Sequence, residues 1–261
     1  MTETVLTQER SGSVLIATLN RPHKGNAIDQ ALLAAIDALV ASVEDAHGRA
    51  DAAHALVITG AGPRAFSAGA DITELHNLSR AAAHAQMRRG QELFDRIERL
   101  PVPVVAAVNG VALGGGLELA MAADVRIATP TARLGQPEIT LANVPGWGGT
   151  QRLPRLIGRG RALELILTGE SITGEEAYRI GLVNQLAEDS VAAAVALAER
   201  IAARSPVAVA GVKHAVRTGL EAGMAPGLLA EADAVADCCQ TDAQRQAVQD
   251  FLDRRRRGGS R

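Results

Sequence analysis

The stretch GVALGGGLELA, Gly110 to Ala120, sets three consecutive glycines inside an apolar run and adds one carboxylate, Glu118, two residues later. A surface loop needs no apolar frame, and a plain core helix needs neither the glycines nor the acid. The combination describes backbone kept accessible, with a carboxylate aimed at it. It follows VVAAV, Val104 to Val108, which reads as a short buried strand. Ligands of α/β sheets bind beyond the carboxyl ends of strands, which is where this segment falls.

Working outward, the same grammar recurs. VLIATL (Val14 to Leu19) and ALVIT (Ala55 to Thr59) read as further buried strands. NRPHKGNAID breaks after the first and GAGPRAFSAGAD, a loop, follows the second. Asp29 is placed to cap a helix through Val43, with Leu32, Leu33, Ile36, Leu39, Val40 and Val43 at helical spacing. The Ala-rich stretch from Ser79 to Leu100 reads as a helix stopped by Pro101 and Pro103. Leu117 to Ala122 reads as the next helix, Val125 to Ala128 as a strand and Ala132 to Gly135 as a further candidate. Uniformly apolar strands alternating with helices define an α/β protein with parallel pairing. Beyond Gln151 the chain turns helical and Ala/Leu-rich, ending in an amphipathic helix over Pro226 to Asp253 interrupted near Thr241. The expected organisation is an α/β core over 1–190 and a helical part over 191–261.

The bulk numbers narrow the function. A net charge of -2 and 2% aromatic residues offer neither a nucleic-acid surface nor stacking platforms for bases. No apolar run reaches the roughly 18 residues of a membrane span. MTETVLTQERSG carries acids and no apolar core, so a signal peptide is not expected. The adjacent Cys238 and Cys239 make neither a disulfide framework nor a four-ligand metal site, which points to a reducing, cytoplasmic setting. Arg254 to Arg257 and the following GGSR read as a frayed, solvated end.

Neither glycine segment is a phosphate loop, since GxxxxGK[ST] and a helix-opening GxGxxG are both absent. The loops Phe66 to Asp71 and Asn109 to Gly116 instead offer peptide N–H groups beside small side chains. Two N–H groups converging on one point make an oxyanion hole; close helix–sheet packing accounts equally well for the glycines. Glu118 and Glu138 (in RLGQPEITL) each read individually as a helix-start acid, and as a pair they can divide acid and base duties. His23, His47, His54, His76, His84 and His214 show no metal-ligand spacing, and Ser67 lacks a nucleophile elbow.

These segments together resemble the enoyl-CoA hydratase, or crotonase, family over nearly the whole chain. The resemblance rests on AFSAGADI (Ala65 to Ile72), AAVNGVALGGGLELAMAADVRIA (Ala106 to Ala128), LGQPEITL (Leu134 to Leu141), VPGWGGTQRLPRLIG (Val144 to Gly158) and TGESITGEEAYRIGLVNQL (Thr168 to Leu186). It implies a crotonase-like spiral of ββα units with helical trimerisation elements near the C-terminus. It implies an acyl-CoA thioester as substrate, no metal, and no cofactor beyond the coenzyme A that the substrate carries. Self-association to a trimer or hexamer is implied as well, with neither nucleic acid nor membrane as partner. The oxyanion donors carried over are the N–H groups of Ala68 and Gly115. Glu138 is the acid that protonates the α-carbon, and Glu118 orients and activates water. Arg21 and Lys24 are candidate neighbours of the CoA phosphates, and Ala68, Gly69, Ala70, Asp71 and Ile72 form the CoA-side loop. Both acids together favour a hydratase; an enoyl-CoA isomerase or a hydratase-lyase is the alternative. Trp147 stands where relatives often carry a smaller residue, as a wall of the acyl pocket or as packing.

Overall fold

The computed structural model describes residues 4–49 and 51–258. The boundary between two compact units falls between Glu199 and Arg200.

In the first unit, β1 (Leu6–Ser11), β2 (Val14–Leu19), β3 (Ala55–Gly60), β5 (Val104–Val108), β7 (Val125–Ala128) and β10 (Gln185–Leu186) form one sheet in the order β1-β2-β3-β5-β7-β10. A second sheet takes β4 (Ala65–Ser67), β6 (Val111–Leu113), β8 (Arg133–Gly135) and β9 (Ser171–Thr173), in the order β4-β6-β8-β9. The chain therefore alternates between sheets: β3 to β4, β5 to β6, β7 to β8. Each coil contributes one strand to each layer, and that alternation is the spiral.

Parallel pairing holds for β2-β3, β3-β5, β5-β7, β4-β6 and β6-β8. It holds also at the β7-β10 edge and fails at one edge of each sheet, where β1-β2 and β8-β9 are antiparallel. β3 and β5 are buried along their whole length, as strands covered on both faces must be. α1 (Gln30–Ala46) starts where Asp29 accepts the Leu32 N–H at 2.8 Å, and it buries the six expected apolar residues. α2 (Arg80–Arg99) buries Gly90, Leu93, Phe94 and Ile97. α3 (Gly115–Ala122) begins two residues earlier than its pattern suggests and is buried throughout. α4 (Gly149–Ile157), α5 (Arg159–Thr168) and α6 (Gly174–Arg179) follow, and the boundary falls inside α7 (Ser190–Ala202).

β1, β4 and β6 carry no sequence signal. β1 reads LTQERS and buries only Leu6, as an edge strand does, while β4 and β6 have three residues each.

The second unit holds α8 (Pro206–Ala222), α9 (Met224–Cys239) and α10 (Asp242–Gly258), so the expected interruption near Thr241 is the α9–α10 joint. α8 and α9 pack closely at Gly219 and Gly227, where a Cβ atom on Gly227 would lie 2.7 Å from the Gly219 α-carbon. The basic run is helical through Gly258; residues 259–261 of the expected frayed end lie outside the described residues. Among the described residues no helix is long and apolar enough to cross a membrane.

Candidate active site

The opening motif turns a corner between the two layers. β5 ends at Val108, β6 crosses to the second sheet, and Gly114 then starts α3 at φ 50°, ψ -126°, a conformation that a side chain resists. Gly114 is also crowded, since a Cβ atom there would lie 2.9 Å from Glu138 Oε1. The Gly115 N–H opens α3 and has no intrahelical partner.

The AGAD loop runs alongside. Gly69 adopts φ +107°, and a Cβ atom on it would lie 2.8 Å from Leu113 O and 3.4 Å from Gly115 N. The loop's N–H groups can be followed one by one. Ala68 N donates to Gly25 O at 2.8 Å, and Asp71 N donates to Ile28 O at 2.9 Å. Gly69 N donates to Ser67 Oγ at 3.2 Å. The Ala70 N–H has no hydrogen-bond acceptor among the described residues, and it lies 3.2 Å from where a Cβ atom of Gly115 would stand. This bears on the expectation for Ala68. Its N–H is engaged by the protein, and the unengaged donor beside Gly115 belongs to Ala70.

Glu118 sits in the first turn of α3 and is 2% exposed. Its Oε1 accepts two peptide N–H groups, from Trp147 at 2.8 Å and Gly149 at 2.6 Å. Gly149 is the first residue of α4, so the partial positive ends of α3 and α4 both face this carboxyl. Burial still dominates. Loss of water, with the nearby Glu138 charge adding to it, pushes the Glu118 pKa from 4.5 up to about 7 against those donors and Arg152. Glu138 lies on the 3-10 turn Pro137–Leu141, and partial burial raises its pKa too. With the buried Gln136 amide turned so that its nitrogen faces Glu138, it donates to Oε1 at 2.9 Å and Oε2 at 3.1 Å. Gln136, Gly149 and Arg152 were not singled out from the sequence. The GQPEI and GGTQR segments were the available signal.

The CoA-side residues separate into two groups. The Arg21 guanidinium is engaged by Asp29 at 3.0 Å, Asp71 at 3.4 Å and Ala27 O at 2.5 Å. It clamps the NRPHKGNAID segment to the AGAD loop, whereas Lys24 is exposed. Asp71 also caps the 3-10 turn Ile72–Leu75 through Thr73, and these contacts hold its carboxyl below the usual range. Ile72 is exposed beside it. Among the described residues, no three His, Cys, Asp or Glu side chains are grouped as a metal site requires.

Two layers wound as a spiral hold a carboxyl pair beside two N–H groups that are unengaged among the described residues, and comparison with known proteins says which class of protein is built this way. The sequence pattern of the enoyl-CoA hydratase/isomerase family matches residues 9–258. The short-chain-enoyl-CoA hydratase of Clostridium acetobutylicum is 40% identical over 95% of this chain and 94% of its own. The crotonyl-CoA hydratase of Syntrophomonas wolfei is 41% identical over 95% of each. The crystal structure of enoyl-CoA hydratase from Bacillus anthracis superposes with a TM-score of 0.90 at 37% identity, covering 96% of this chain and 97% of that one. The chain belongs to the enoyl-CoA hydratase/isomerase family, and its fold is the crotonase fold.

Proposed function

We propose that the protein adds water reversibly across the 2,3 double bond of an enoyl-CoA thioester. One observation carries this reading: two carboxyls, both raised above their ordinary range by burial, lie beside two peptide N–H groups that have no acceptor among the described residues. The thioester oxygen accepts from Ala70 N and Gly115 N, which stabilise the negative charge that develops there. The oxygen of water bonds to C3 as Glu118 takes one of its protons. The electrons of the double bond move to C2, which receives the proton of Glu138. Glu118 ends protonated and Glu138 ionised, and proton exchange with solvent resets the pair. Above about pH 7 Glu118 is ionised and free to take a proton from water, while burial raises Glu138 toward holding the proton it gives. The steps use protein groups alone.

The CoA arm follows Ala68 to Ile72, with Lys24 toward its phosphates. Self-association through the second unit belongs to the same reading, as does a cytoplasmic setting for the two free thiols. The test is hydration of crotonyl-CoA, followed by loss of enoyl absorbance and chiral analysis of the product. Steady turnover to 3-hydroxybutyryl-CoA is expected. Double-bond migration without water addition in longer enoyl-CoA substrates would overturn hydration in favour of isomerisation.

A further inference from the structure

Trp147 is 3% exposed, and the reaction proposed above uses only its peptide N–H. Its indole fills a slot made by two missing side chains. A Cβ atom on Gly115 would lie 2.6 Å from ring carbon Cζ3 and 2.7 Å from Cε3. At the opposite edge, a Cβ atom on Gly90 of α2 would collide with Cδ1 and Nε1. Phe94, one turn along α2, meets the ring edge-on with centroids 5.5 Å apart. The indole N–H is buried and has no acceptor among the described residues, so hydrogen bonding gives no reason for tryptophan here. Volume does. That volume fills the place of a Gly115 side chain, a point 3.2 Å from Ala70 N, so it stands beside the proposed oxyanion donors and limits where an acyl chain continues.

We propose that Trp147 is a specificity-determining residue whose indole walls the acyl end of the pocket and confines the enzyme to enoyl thioesters with short, unbranched chains. The inference rests on the hydratase reading and extends it to a substrate class. Replacing the indole by a methyl group leaves an apolar void between Gly90, Phe94 and Gly115, and apolar voids of this kind accept ring-sized or alkyl guests. A methylene in such a pocket changes discrimination by about 10- to 200-fold.

The experiment compares kcat/KM for four-carbon and eight-carbon enoyl-CoA in wild type, Trp147→Phe and Trp147→Ala, each checked for fold by circular dichroism. Wild type should favour the four-carbon substrate. The eight-to-four-carbon ratio should rise about tenfold or more in Trp147→Ala, with Trp147→Phe between. Because Trp147 is the chain's one tryptophan, its emission is a second readout on the wild type. Saturated butyryl-CoA should shift it, and coenzyme A alone should not. Folded variants with an unchanged ratio, a wild type that prefers eight carbons, or an emission indifferent to the acyl group would overturn the proposal. If Trp147→Ala does not fold, the Trp147→Phe ratio and the emission decide. A wild type inert toward every enoyl-CoA would sink the hydratase reading instead, while the emission still tests the wall.

Discussion

The Ala68 N–H donates to the Gly25 carbonyl oxygen at 2.8 Å, a bond between residues 43 positions apart that takes this donor out of the loop's unengaged N–H groups. It leaves Ala70 and Gly115 as the neighbouring unengaged pair. Proline at Gly115 removes that N–H, yet any side chain there also meets Trp147. Gly115→Ala is therefore the steric control, since it crowds the indole and keeps the donor. Gly115→Pro should fall below Gly115→Ala in kcat by roughly 10² to 10³. Proline is tolerated at the first position of a helix, which Gly115 occupies, so α3 should form in both. Equal rates in the two variants would remove Gly115 from the oxyanion site.

Glu138→Gln tests the proton donor. The amide is nearly the same shape, so acyl-CoA binding should persist while hydration falls by about 10² to 10⁴. Isothermal titration with butyryl-CoA separates the two effects. Near wild-type turnover in a folded variant would exclude Glu138 as the acid.

The fold and the site were unequally legible in the sequence, for physical reasons. β3, β5 and α1 were readable because each is long enough to show its burial pattern. β4 and β6, at three residues, carry no period at all, although they place both glycine loops. Glu118 and Glu138 were singled out because carboxylates in apolar frames are conspicuous. The Ala70 donor was not, because its freedom is defined by what Ala68, Gly69 and Asp71 do with theirs, and one of those bonds reaches back to Gly25. Arg21 shows the same limit: its charge is visible in sequence, but its partners Asp29 and Asp71 are not.

The raised Glu118 pKa is also a statement about stability. The folded protein holds this proton up to about pH 7, whereas the unfolded chain releases it near 4.5. Between those values the folded state binds more protons, so the Glu118 contribution falls as pH rises and is fully unfavourable above about 7. The span corresponds to about 3 kcal/mol. Glu118→Gln does not titrate and still accepts the Trp147 and Gly149 N–H groups through its amide oxygen. Its melting temperature relative to wild type should therefore rise between pH 5 and pH 8. A difference that stays constant across that range would mean that Glu118 ionises as an ordinary surface acid does.

The last prediction concerns the second unit. On α8, Val212, Val216 and Leu220 recur every four residues and are exposed, Leu220 at 76%. On α9, Met224, Leu228 and Val235 are exposed as well, Met224 at 77%. Together they border a groove of about 560 Å³ whose lining is almost wholly apolar. A contiguous apolar face of this kind marks an interaction surface, and association of identical chains is the commonest way to cover one. The protein should therefore sediment at micromolar concentration as a closed oligomer, with no dominant monomer. Leu220→Asp combined with Leu228→Asp puts charge into the face without touching Glu118, Glu138, Ala70 or Gly115. That variant should move the distribution toward monomer by at least tenfold in the association constant and keep its helical circular dichroism. A wild type that runs as a monodisperse monomer at full activity would leave the face without this role. An oligomer unmoved by the two charges would assign the contact to another surface of the chain.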